Sequence, residues 1–131
     1  MRTLTRIAVV IVASAALVSC GPMESRLEPF NKSLKAANRA TRVINKGPGY
    51  AVISEADTDE MLIHYREALS HAEKVDAAFL ESKYRGWGTH FDSEFRAGLR
   101  LVLKANETAD LATSIHGQQL MATWGVWYAA N

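Results

Sequence analysis

His64, Glu67 and His71 stand three and four residues apart, with Glu60 four before His64 and Lys74 three after His71. Steps of three and four put side chains on one face of a helix, and an i,i+4 pair such as Glu67 and His71 can chelate a divalent cation. His64 and His71 are about 10 Å apart along a helix axis, too far to share one ion directly. A third ligand would have to come from another helix, and the sequence identifies none. The same spacing also describes a solvated face held by charge pairs, and that reading is preferred. Asp92 and Glu94 fit the negative charges favoured at a helix N-terminus. No nucleophile elbow, phosphate loop or zinc-protease motif occurs, so a non-enzymatic protein with no cofactor is expected.

Cys20 is the single cysteine of the chain. A disulfide framework and a four-cysteine zinc site are therefore excluded within one chain. Cys20 closes a distinctive segment. Arg2 and Arg6 form a positive region, and Ile7 to Val18 is apolar except for Ser14. That run is well short of the ~20 residues needed to span a bilayer core, which favours export over a membrane span. Leu17-Val18-Ser19-Cys20 resembles the lipobox of bacterial lipoprotein precursors. The resemblance covers only this segment. It implies thioether lipidation of Cys20 with a diacylglyceryl group, cleavage between Ser19 and Cys20, and acylation of the new amino terminus. The chain then divides into a signal peptide (1–19), a lipidated tether (20–23) and a helical domain (24–131). Residue 21 is glycine, not the aspartate that usually signals inner-membrane retention. The resemblance therefore implies the periplasmic face of the outer membrane, or the cell membrane of an organism with only one. Several acyl chains anchor stably where one holds marginally.

The whole chain has 15 basic and 14 acidic residues. Removing Arg2 and Arg6 with the signal leaves 13 against 14, a net charge of −1. Such a domain has no overall electrostatic reason to bind nucleic acid. The charge is nevertheless uneven. Residues 21–46 carry six basic and two acidic groups, and Lys32, Lys35, Arg39, Arg42 and Lys46 form a basic stripe. Close to the anchor, such a stripe can attract anionic headgroups, each charge contributing on the order of 1 kcal/mol. The preferred alternative is pairing with Glu60, Glu67, Glu73, Asp76 and Glu81 of the second helix.

Aromatic residues gather in two places. Tyr84, Trp87 and Phe91 surround a Gly86/Gly88 turn, and Trp124, Trp127 and Tyr128 crowd the C-terminus. Such residues cap cores or anchor interfaces. Three aromatics cannot easily face one small core, so Trp124, Trp127 and Tyr128 are the expected partner-facing patch. Met23 early in the first helix and His116 in the last resemble, in order and architecture only, the ligands of helical-bundle b-type cytochromes. No CxxCH motif is present, and an ordinary polar histidine is the preferred reading. Asn106-Glu107-Thr108 is read as a chance glycosylation triplet.

The elements that must position these residues are helices. Leu27, Phe30, Leu34, Ala37, Thr41 and Ile44 predict a buried stripe on a first helix over 24–46, ended by Gly47-Pro48-Gly49. Pro29 falls in its first turns. Residues 47–56 form a connector in which Tyr50-Ala51-Val52-Ile53 is too short to suggest a sheet. Asp57 with Glu60 predicts the cap of a second helix that ends near Tyr84, with Met61, Tyr65, Ala68, Ala72, Val75 and Phe79 buried. A third region opens between Thr89 and Asp92 and carries Phe95, Leu99 and Val102. If continuous to Tyr128 it would be about 57 Å long against about 35–40 Å for the others, so a break is expected, at Gly117. The predicted fold is all-α: a small antiparallel bundle of three long helices plus a short C-terminal helical segment. The expected function is a non-catalytic interaction or accessory module of the cell envelope, with a protein partner. The alternatives are a carrier of haem, a divalent metal or another small ligand, and an envelope exclusion or immunity lipoprotein of a mobile element.

Overall fold

A computed structural model describes residues 22–44 and 54–131. Helices make up 89% of these residues, with no strand among them. The chain is an all-α bundle of two antiparallel hairpins. The first pairs α1 (Pro22–Ile44) with α2 (Glu55–Ala72). A short α3 (Ala77–Lys83) leads to the second, whose outgoing arm runs through α4 (Trp87–His90), a π-helical stretch (Phe91–Arg96) and α5 (Ala97–Thr108). Its return arm is α6 (Leu111–Ala130). Cys20, the expected signal segment, Lys46 and most of the 47–56 connector lie outside the described residues.

All six residues of the predicted α1 stripe are buried, Thr41 at 8% exposure being the most open. Ala36, Ala37 and Ala40 on α1 and Ala68 and Ala72 on α2 are also buried. Their small side chains let the two helices approach closely. Arg39 reaches Glu67, and Arg26 reaches Asp76 just beyond α2, which fixes the antiparallel register. Pro29 lies two turns inside α1, which begins at Pro22, and cannot donate the usual bond to the Ser25 carbonyl.

Three helix boundaries differ from the sequence-based expectation, each for a local chemical reason. Helix α2 starts at Glu55 because Ser54, not Asp57, is the N-cap: its side chain accepts from the Asp57 N–H at 3.1 Å. The helix then ends at Ala72 rather than near Tyr84. Val75 turns into the core at 7% exposure, and Asp76 caps α3 by accepting from the Phe79 N–H at 3.0 Å. The Val75 carbonyl freed by this bend accepts from Arg96 Nη2 at 3.3 Å.

The third difference is the break expected at Gly117. It occurs at Ala109, which takes the left-handed conformation (φ 54°), followed by Asp110 as the N-cap of α6. Asp110 accepts from the Thr113 N–H at 3.1 Å and from the Thr113 hydroxyl at 2.8 Å. Gly117 lies inside α6 and meets Gly98 of α5. A Cβ on Gly98 would lie 2.6 Å from the Gly117 carbonyl oxygen, and one on Gly117 would lie 2.7 Å from that of Gly98. The two backbones touch, which a side chain at either position prevents.

The π-helical stretch decides what faces inward. Phe91 and Arg96 would be about 140° apart around an α-helix of 3.6 residues per turn. A π turn closes its bonds from i to i+5, which brings them to one side. Phe91 and Phe95 are accordingly fully buried with Arg96 at 8%, and the guanidinium lies over the Phe91 ring at 5.4 Å.

Candidate interaction surfaces

The two aromatic groups meet. Trp124 is completely buried at the centre, with ring centroids 5.1 Å from Tyr128, 5.6 Å from Phe91, 5.9 Å from Phe95 and 6.2 Å from Phe30. Tyr128 is 5% exposed and lies 5.1 Å from Trp87. This corrects the partner-facing patch: Trp124 and Tyr128 face the core, because the fold-back of α6 returns them to Phe30, Trp87 and Phe91. Of the three, Trp127 alone is partly exposed, stacking on His90 at 4.0 Å with 14° between the planes.

Around this packed centre lies a rim of partly exposed aromatics: Tyr84, Trp87, His90 and Trp127. Tyr84 stacks on Trp87 at 4.4 Å. Gly86, at φ 87°, makes the turn between α3 and α4 and lies beneath the Trp127 ring. Glu81 secures that turn. Its carboxylate accepts from the Gly86 N–H at 2.5 Å, the Thr89 N–H at 2.9 Å and the Thr89 hydroxyl at 2.8 Å. The Gly86 bond and then those from Thr89 hold Glu81 below the usual carboxylate range. His90 Nδ1 lies 2.8 Å from Glu94 Oε1. His90 and Glu94 are not in the expected site set, although their i,i+4 spacing is visible in the sequence.

The basic face of α1 is partly paired. Lys32 meets Glu28 at 2.5 Å, and Arg39 Nη2 donates to Glu67 Oε1 at 2.8 Å. The hydrogen bond from Lys32 holds Glu28 below its ordinary range. Lys35 and Arg42 are exposed. Of the acidic partners expected on the second helix, Glu67 pairs with this stripe. Asp76 pairs with Arg26, and Glu73 takes two bonds from Arg100, at 2.9 and 2.8 Å. The stripe also runs away from the start of α1: Arg42 is about 30 Å along the axis from Pro22.

Glu60, His64, Glu67 and His71 do share one face of α2. The His64 ring nitrogens lie 4.0 Å from both Glu60 and Glu67, and His71 Nε2 lies 4.0 Å from Glu67. Arg39 already engages the central carboxylate, Glu67. Among the described residues, no group of three or more His, Cys, Asp or Glu is placed to hold a metal ion. Lys74 is exposed. Arg39, Arg42, Val43, Glu60 and His64 line a shallow depression, with the 60% exposed Ile63 next to His64 in the chain. His116 is exposed on α6, and Met23 lies in the first turn of α1.

Among the described residues, no helix is long and apolar enough to cross a membrane. No family model, no curated protein and no solved structure matches the chain.

Proposed function

We propose that this chain is a lipid-anchored, non-catalytic interaction module of the bacterial envelope, held through Cys20 at the periplasmic face of the outer membrane. The depression between α1 and α2 carries this reading. It joins Arg42, His64, Glu60 and the Glu67-paired Arg39 with Val43 and the neighbouring exposed Ile63, at the end of the hairpin about 30 Å from the start of α1, and Arg42 is the cation it offers a partner. That arrangement suits a protein partner presenting a carboxylate beside an apolar side chain. The interior is filled by interlocked rings of Phe30, Phe91, Phe95 and Trp124, so recognition falls to the surface.

The test is gentle detergent extraction of the tagged full-length protein, followed by mass spectrometry of what co-purifies. A stoichiometric partner is expected, and it should be lost in an Arg42→Glu variant of unchanged helical content, which leaves the Arg39–Glu67 pair in place. A partner retained by that variant would move the interface elsewhere. A lone lipidated chain carrying an absorbing ligand would turn the reading toward haem or metal carriage.

A further inference from the structure

We infer that the aromatic rim of Tyr84, Trp87 and Trp127 rests in the headgroup layer of the membrane that holds the anchor. The inference depends on lipidation of Cys20. One residue, Gly21, separates Cys20 from Pro22, so their Cα atoms are two steps of 3.8 Å, at most about 7.6 Å, apart. The start of α1 is thereby kept next to the bilayer. The early turns of α1 belong to the aromatic end: Arg26 lies 3.6 Å over the Phe79 ring and pairs with Asp76 at the start of α3, and Phe30 touches Trp87 at 5.8 Å and Tyr128 at 6.1 Å.

The chemistry of this end suits a lipid interface. Tyrosine and tryptophan combine an apolar ring with a polar tip and favour headgroup depth. Tyr84, Trp87 and Trp127 are each packed against the core yet left partly open, with Phe79 beside them. Lys83 and Arg85 flank Tyr84 and are exposed; Lys83 Nζ lies 6.0 Å from the Phe79 ring, and neither forms an ion pair among the described residues. The acids nearby are already engaged: Asp76 with Arg26, and Glu81 with the Gly86 and Thr89 donors. Two cations thus remain for lipid phosphates. In this pose the Arg39–Arg42 depression points away from the bilayer.

The test uses the full lipidated protein in vesicles of phosphatidylcholine and phosphatidylglycerol containing a lipid brominated near the headgroup. The chain has three tryptophans. Trp87 and Trp127 should be quenched while buried Trp124 is not, so up to about two-thirds of the emission should be lost on adding the quencher. A Trp87→Phe/Trp127→Phe variant, which keeps the core aromatic, should lose almost none. Lys83→Glu/Arg85→Glu should reduce quenching in anionic vesicles. Protein that floats with the vesicles, carries lipid on Cys20 by mass and is not quenched overturns the docked pose alone. Protein without lipid on Cys20 overturns both the anchor and the pose built on it.

Discussion

Gly98 and Gly117 hold α5 and α6 together by backbone contact, each occupying the space that a Cβ on the other would need. Alanine is the better helix former by about 1 kcal/mol, so sequence propensity alone predicts a gain from replacing either glycine. The contact reverses the sign. Side-chain carbons of Val102 and Met121 also lie in the way, but the Gly98 and Gly117 carbonyls and the Val102 amide nitrogen are backbone and cannot swing aside. Gly117→Ala should therefore destabilise by about 1–3 kcal/mol despite its propensity gain. Urea unfolding measures this, and an unchanged or higher midpoint would refute the close approach.

Ala109 offers the opposite case. It is the only non-glycine residue with positive φ among the described residues, and it terminates α5. A left-handed alanine costs roughly 1–2 kcal/mol, part of which glycine returns as added freedom in the unfolded chain. Ala109→Gly should raise stability by about 0.5–1 kcal/mol. Thermal unfolding followed by circular dichroism should show a higher midpoint; a lower one would mean that the hairpin turn is built differently.

Trp124 and Trp127 should separate sharply. Removing a fully buried indole costs about 3–5 kcal/mol, a large share of ordinary domain stability. Trp124→Ala should broaden or abolish the cooperative transition, whereas Trp127→Ala, losing a partly exposed stack on His90, should remain folded. Equal effects would place Trp124 outside the core.

Acid should weaken the fold through its carboxylates. Hydrogen bonds hold Glu81, Asp110 and Glu73 below their ordinary range: from Gly86 and Thr89, from Thr113, and from Arg100 respectively. A carboxyl with a depressed folded-state pKa contributes stability above its unfolded value, and that contribution is lost as pH falls through the folded one. The melting temperature should thus stay level down to about pH 5 and drop below about pH 4. Glu81→Gln should lower the neutral-pH midpoint and flatten the acid slope. An unaltered slope would show that the Gly86 turn does not depend on the ionised carboxylate.

Much of the architecture was legible in the sequence. The steps of three and four from Leu27 to Ile44 identify the buried face of α1, since periodic apolar residues have one way to leave water together. Met61, Tyr65, Ala68 and Ala72 do the same for α2, and the length of the third region demands a fold-back. Glycine at 117 suggests a break by its propensity, but its neighbour across the hairpin makes it a contact. Asp110, Asp76 and Ser54, which do set boundaries, are common residue types whose capping role depends on local backbone geometry.

The candidate site shows the same division. The sequence by itself determined that aromatics crowd both the 84–91 turn and the C-terminus, that α1 is basic, and that His64, Glu67 and His71 share a face. These follow from residue identity and helical period. Only the tertiary structure decided that Trp124 and Tyr128 point inward, that Arg39 is drawn to Glu67, and that Trp127 covers Gly86 and stacks on His90. Burial and long-range pairing depend on how the two hairpins pack, and a one-dimensional pattern does not say which helix each face will meet.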